Sequence, residues 1–310
     1  MGEFSKSDFS VQIISTDGLI RSKNLEENLN LQHIPFKLSP GIIPSFSDYK
    51  DGKLHSKLFS NLICQRQISK AEVGCALAHK VAVQNHLDLA SKFGIIFEDD
   101  AEILRNFDFK VLSDYLQSEL PRILILGWVP GFAVAYPNKF QTNNEVSQVL
   151  VPPTCAFAYA FNNSAAKILA TNKKILDLAD WPINVFSKIS FSIVKEPWVS
   201  ASQDPDLSTI GIRYKDSEPT KASIFTSRIR LIISFVLLVI SSIFTNMNFS
   251  LRQILTRLFL KDHIYNFGVN ALRNTSSESE ETKSTAFVSE YPYHKLRFLN
   301  FIGLVRIKGN

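Results

Sequence analysis

The chain reads as an α/β domain followed by a basic, apolar tail, and three observations predict this. Strand–helix–strand patterns fill the first forty residues, helix–strand–acids follow to about residue 100, and strand and helix recur after that. One apolar run drives straight into three consecutive carboxylates, Glu98-Asp99-Asp100. The excess positive charge lies wholly beyond residue 220. At 310 residues the chain can bury a full core, either as one large domain or as a domain with an appendage.

The helix–strand–acid unit is the most informative element. Ser69 and Glu72 have the S-x-x-E spacing of a capping box, which predicts a helix from about Lys70 to about Ala90. Val73, Leu77, Val81 and Leu87 fall near helical spacing and form its expected buried stripe. After a turn at Ser91-Lys92, Phe93 to Phe97 reads as a buried strand that ends in the three acids. Like charges so close repel unless something positive sits among them. Alternation along a strand places Glu98 and Asp100 on one face and Asp99 on the other. Two carboxylates on one face can hold a divalent metal that also takes oxygens from a substrate phosphate. The plainer alternative is a charged strand end dissolving into a solvated turn. A helix feeding a strand with a metal-competent end is the architecture of sugar-nucleotide transferases.

Val73-Gly74-Cys75-Ala76-Leu77-Ala78-His79, followed by Ile95-Ile96-Phe97-Glu98-Asp99-Asp100, resembles the signature of glycosyltransferase family 25. The family pattern is roughly G-E-I-G-C-x-x-S-H and then L-E-D-D-V. Here Ala71 stands for the first Gly, Ala78 for the Ser and Phe97 for the Leu. The resemblance extends over roughly residues 9 to 210. Val11 to Asp17, with Arg21 beyond, is similar to the opening strand and its nucleotide-side loop, and Ile34-Pro35-Phe36 to the second strand. Arg122 to Gly127 fits the strand after the acids. Thr154 to Tyr159 and Ser164 to Leu169 resemble the family's G-T-H-A-Y segment and the helix after it, with Cys155 replacing the His; Asp180-Trp181 resembles the D-D-W or D-W that follows.

The resemblance implies a GT-A-like fold and a metal-dependent, inverting transfer of a hexose. The family includes lipopolysaccharide and lipooligosaccharide galactosyltransferases, so the implied donor is a UDP-sugar, UDP-galactose first. The implied acceptor is a lipopolysaccharide or other lipid-linked glycan. Glu98 and Asp100 are the candidate ligands for Mn²⁺ or Mg²⁺, with Asp100 the closer match to the family's metal carboxylate. Asp99 is a candidate for the ribose, and Arg21 with the Ser15 and Thr16 hydroxyls for the nucleotide. Arg21 reads equally as an ordinary surface arginine. Asp180 is the candidate base for the acceptor hydroxyl, next to an indole that could stack on a sugar ring; its alternative is a helix N-cap before Pro182. His79 reads as a core or supporting histidine rather than a base. A fold retained without turnover, in a membrane-associated binding or scaffold protein, is the competing functional class.

Three cysteines, Cys64, Cys75 and Cys155, are widely spaced, with no C-x-x-C and no Cys/His grouping read among them. Zinc is therefore not expected; a reducing compartment is, with each cysteine a small buried residue. Met1 to Ser10 lacks the long apolar stretch of a signal peptide.

From Lys221 onward there are 12 Lys/Arg against 5 Asp/Glu, which leaves 22 against 24 in the preceding 220 residues. Nucleic acid is thus a poor partner for the first 220 residues, where no basic stripe is interleaved with aromatics. The run Leu231–Phe244 would span only about 21 Å as a helix, short of a ~30 Å hydrocarbon core. Arg228, Arg230, Arg252, Arg257 and Lys261 flank it, which suits a helix lying in an anionic interface; the alternatives are a buried core helix, or a true span continuing through Thr245 to Phe249, which the amides there disfavour. The expected organisation is a catalytic domain over 1–220, a membrane-associating segment over 221–274, an acidic linker over 275–284 and a basic, apolar segment over 285–310. The expected location is peripheral, on the cytoplasmic face of the cell membrane.

Overall fold

The structure is a computed structural model that describes residues 6–16, 21–55, 68–127, 134–135, 145–151, 156–171, 175, 181 and 188–202. The expectations for the linker and the tail from residue 221, and for Cys64, Cys155 and Asp180, lie outside the described residues. Among the described residues no helix is long and apolar enough to cross a membrane.

The strands are β1 Phe9–Ser15, β2 Lys37–Pro40, β3 Phe93–Glu98, β4 Ala101–Ile103, β5 Arg122–Ile125, β6 Val134–Ala135, β7 Val146–Val151, β8 Ala158–Asn162, β9 Ser190–Val194 and β10 Val199–Ala201. The helices are α1 Lys23–Leu31, α2 Phe46–Lys50, α3 Lys70–Leu87, α4 Phe109–Leu116 and α5 Asn163–Ala170. Eight strands form one mixed sheet in the order β2-β1-β3-β8-β5-β9-β7-β6, while β4 and β10 pair separately. β2, β1 and β3 run parallel, β8 runs antiparallel to both β3 and β5, and β5 and β9 are parallel again. The fold is therefore α/β, as expected.

Strand β1 is buried at every position, and β3 at every position before Glu98. That is the burial of strands covered on both faces, and it explains why their sequences run apolar rather than alternating. Helix α3 packs against β1, β2 and β3. It begins at the capping box: the Glu72 N–H donates to Ser69 Oγ at 3.2 Å, and the Ser69 N–H donates to Glu72 Oε2 at 2.8 Å.

Two expectations shift. The second strand begins at Lys37 rather than Ile34, because Ile34 closes helix α1. His33 takes φ 52°, its N–H donates to Asn30 O, and the Ile34 N–H reaches back to Leu29 O at 2.9 Å. This is the paired hydrogen bonding of a Schellman C-cap, which uses Ile34 as its apolar stop. The buried stripe of α3 is also rotated from the one expected. Val73, Ala76, His79, Val83 and His86 are buried, whereas Leu77, Val81 and Leu87 are only half-buried. Small residues let the helix sit close to its neighbours, and two histidines on that face find partners inside. His86 is held between Ser10 Oγ and Asn163 Oδ1, each at 2.6 Å, and so joins α3 to β1 and α5.

Gly74 marks the closest approach. A β-carbon there would run into the carbonyl oxygen of Ile42 and touch Pro44. Alanine would raise helix propensity by about 1 kcal/mol, but crowding a backbone oxygen costs about 1–3 kcal/mol or more. Gly74→Ala should therefore lower stability by roughly 1–2 kcal/mol, read by urea denaturation followed by circular dichroism.

Candidate functional site

Strands β1 and β3 end level with one another, Ile14 opposite Glu98, so Ser15 and the acidic residues emerge at the same carboxyl edge. Ligands of open α/β sheets bind beyond such edges. The chain does not continue as a strand past Glu98. Asp99 and Asp100 form a turn before β4, and that turn is clamped from both sides. The Glu98 N–H donates to Phe157 O and the Ser202 N–H donates to Asp100 O, each at 2.8 Å.

Ending the strand at Glu98 changes which acids face together. Arg21 lies 3.3 Å from Asp99 Oδ1 and 3.9 Å from Asp100 Oδ2. The expected alternation, with Asp99 turned away from Glu98 and Asp100, thus gives way to a pair of adjacent aspartates sharing one guanidinium. The Arg21 side chain is only 9% exposed, which excludes the surface-arginine alternative. Among the described residues its Nε has no hydrogen-bond partner, and neither does the buried Oδ1 of Asp100. The Thr16 backbone N–H approaches Asp99 Oδ2 at 3.4 Å, and the Ser15 side chain also hydrogen-bonds Asp99. The structure thus brings Ser15, Thr16, Arg21, Asp99 and Asp100 together, with Thr16 engaging Asp99 through its backbone N–H.

Burial dominates the electrostatics. It pushes the Asp99 carboxyl up, opposed chiefly by Arg21 and then by the Thr16 N–H and Ser15. Asp100 is pushed up to about 6, first by burial and then by the charges of Glu98 and Asp99, with Arg21 opposing. One guanidinium does not balance three neighbouring carboxylates.

Glu98 faces another group. Its Oε1 accepts from His79 Nε2 at 3.0 Å and lies 3.8 Å from Cys75 Sγ. Because an ionised carboxylate only accepts, His79 Nε2–H donates to it, and in the neutral ring Nδ1 then accepts from the Tyr159 hydroxyl at 3.1 Å. Burial, reinforced by the Glu98 and Cys75 charges, pushes the Tyr159 phenol far above its ordinary range, so the hydroxyl keeps its proton. His79 is thus a supporting residue held on both sides. Sequence reasoning missed the grouping of Cys75 with His79. The available signal was their i, i+4 spacing on a predicted helix, which puts both on one face.

Asp180 lies outside the described residues, but its neighbour Trp181 does not. Trp181 is 2% exposed, with its ring 4.9 Å from Tyr159 and 5.2 Å from Phe191 between centroids. The expectation that this indole stacks on a sugar is therefore corrected: it is spent in the core, beneath the His79–Tyr159 pair.

The Asp100 shift has a signed consequence. A carboxyl whose folded value is raised favours the folded state most below its unfolded value of about 4, and that contribution is lost as pH climbs through about 6. Asp100→Asn, measured with chelator present, should therefore be more stable than wild type at pH 7, by an amount on the order of 1–3 kcal/mol. The gap should close as the pH is lowered toward about 4, read by denaturant titrations across that range.

The family model "Glycosyltransferase family 25 (LPS biosynthesis protein)" matches residues 10–180. A Haemophilus influenzae protein named "Putative glycosyltransferase" is 26% identical over 165 residues, which cover 51% of this chain and 56% of that protein. The chain thus spans little more than half the length of this relative. Among solved structures, UDP-glucose pyrophosphorylase complexed with UDP-glucose aligns at 9% identity and TM-score 0.35, covering 67% of this chain and 99% of that one. The protein A197 from STIV aligns at 12% identity and the same TM-score, covering 59% and 80%. Scores at this level do not establish a shared fold, and the assignment rests on the sequence match. That match takes in over half of the chain, both signature segments and most of the residues gathered at the carboxyl edge, and the chain belongs to glycosyltransferase family 25.

Proposed function

We propose that this chain is a GT-A-like, metal-dependent, inverting hexosyltransferase that uses a UDP-sugar donor, UDP-galactose first among them. The observation that carries the reading is the pair of buried Asp99 and half-buried Asp100 around Arg21, at the ends of two parallel strands, with Asp100 Oδ1 left without a partner among the described residues. A hard divalent cation is bound by oxygen ligands and suits a carboxylate with an unused oxygen in a site short of positive charge. The donor set fits it. Asp100 would hold Mn²⁺ or Mg²⁺, which when bound neutralises charge on the departing diphosphate, whereas Glu98, expected as the second carboxylate, is turned to His79 and Cys75 instead.

The protein's own groups do the rest. Asp99 anchors the Arg21 guanidinium, whose remaining N–H donors can then meet phosphate oxygens in a fixed direction. Ser15 and the Thr16 backbone hold Asp99 in turn, so the ribose-facing acid is oriented before any ligand arrives. Asp180 takes the proton from the acceptor hydroxyl. The acceptor is a lipopolysaccharide or other lipid-linked glycan, met at the cytoplasmic face of the membrane. Support for that location comes from the basic residues flanking Leu231–Phe244, a pattern suited to an anionic surface.

The test is UDP release from a panel of UDP-sugars, with Mn²⁺ and with EDTA, in wild type and Asp100→Asn. One donor should be hydrolysed slowly, and both chelator and substitution should abolish that hydrolysis. Arg21→Ala should bind the donor at least ~10-fold more weakly, as the loss of one charge-assisted phosphate contact implies. If no donor binds or turns over under any of these conditions, the carboxylate reading is wrong, and a fold kept without turnover takes its place.

A further inference from the structure

A second group of ligating side chains lies beside the aspartate pair. Cys75 Sγ, a ring nitrogen of His79 and a Glu98 carboxylate oxygen all fall within 4.8 Å of one another. Cys75 and His79 reach this point from successive turns of α3, and Glu98 reaches it from the end of β3, so the chain presents the three from two rigid elements. We propose that Cys75, His79 and Glu98 form a binding site for a soft or borderline divalent cation of the zinc class, separate from the hard-cation site at Asp100.

The chemistry separates the two. Thiolate and imidazole ligands select zinc, cobalt and their neighbours, whereas Mg²⁺ and Mn²⁺ take oxygen. Ligand atoms around one tetrahedral ion stand a little over 3 Å to about 4 Å apart, given metal–ligand bonds of about 2.0–2.3 Å. The His79–Glu98 separation of 3.0 Å and the Cys75–Glu98 separation of 3.8 Å need only small adjustment to meet that spacing. Three protein ligands leave a fourth position open for water, the pattern of catalytic rather than structural zinc sites.

Occupation requires a defined proton rearrangement. The Cys75 thiol loses its proton to solvent and binds as thiolate. The His79 proton moves from Nε2 to Nδ1, freeing the Nε2 lone pair for the ion. Tyr159 completes the change without moving, since its hydroxyl can accept from Nδ1–H at the contact where it otherwise donates. A metal-bound histidine generally donates its other N–H to such a partner, which fixes the ring. The buried Tyr159–His79 stack, with ring centroids 5.7 Å apart, supplies that fixed orientation in advance.

The experiment is titration of chelator-stripped, full-length protein with Co²⁺, followed by its sulfur-to-cobalt charge-transfer absorption, and then displacement by Zn²⁺. Wild type should show the band at one equivalent and lose it on adding Zn²⁺. Cys75→Ser, a one-atom change at a half-buried position, should abolish the band while leaving the far-ultraviolet circular dichroism unchanged. Tyr159→Phe should keep the band but bind Co²⁺ about 10–100-fold more weakly, the usual cost of removing a ligand's outer partner. Glu98→Gln should weaken binding by ~10-fold or more, through loss of an anionic ligand. Asp100→Asn should retain the band, so failure of the donor assay and failure of this site are read separately. No band in wild type, an unchanged band in Cys75→Ser, unaltered affinity in Tyr159→Phe or Glu98→Gln, or loss of the band in Asp100→Asn would overturn the proposal.

Discussion

The organisation of the site follows from one electrostatic constraint: three consecutive carboxylates must be accommodated where a buried strand ends. Water cannot solvate them fully, because the turn is clamped between the lead into β8 and the exit of β10. The chain disperses them instead. Glu98 is turned toward a helix that offers an imidazole and a thiol, while Asp99 and Asp100 share Arg21. The dispersal is incomplete, and an excess of negative charge remains at the edge. An anion that engages Arg21 leaves the aspartates shorter of positive charge, and a cation at Asp100 relieves them. Two such ligands favour each other reciprocally, because each supplies what the other removes.

Much of this was legible in the sequence where the signal was local. The capping box at Ser69 and Glu72 predicted the start of α3 to the residue, since both halves of that motif lie within four positions. The run Phe93–Phe97 and the acids after it were equally plain, whereas motif position offered Arg21 only for the nucleotide and gave no sign of its contact with Asp99. Other features depend on contacts that local pattern does not encode. Alternation cannot say where a strand stops, so the turn at Asp99 and the regrouping of the acids were invisible. Helical spacing identified a stripe, but α3 seats closely at Gly74 with Val73, alanines and histidines facing inward, while Leu77, Val81 and Leu87 of that stripe stay half-buried. Trp181 looked like a sugar platform because it follows an acid; only the tertiary arrangement shows it filling the space between Tyr159 and Phe191.

The sheet contributes a second constraint. Where β8 enters antiparallel between β3 and β5, its side chains come from a later part of the chain yet stand beside the acidic strand. Tyr159 reaches His79 only because of that insertion, across 80 positions of sequence. The residues that tune the site are thus contributed by non-neighbouring segments, which is why motif reading found the charged groups and missed the neutral ones that hold them.

The short connection between β2 and α2 carries a consequence of a mechanical kind. Gly41 lies so close to Thr16 that a β-carbon there would strike it, and one residue on, the Ile42 carbonyl presses on Gly74. The Gly41 N–H also donates to Ser15 O at 2.6 Å. The connection therefore works as a strut with no slack at either end, one end on the second turn of α3 and the other on the residues that hold Asp99. Interiors this tightly packed transmit displacement instead of absorbing it. A shift of α3 by even a fraction of an ångström would be delivered to Ser15 and Thr16, so the helix bearing Cys75 and His79 and the loop that supports Arg21's aspartates cannot be repositioned independently.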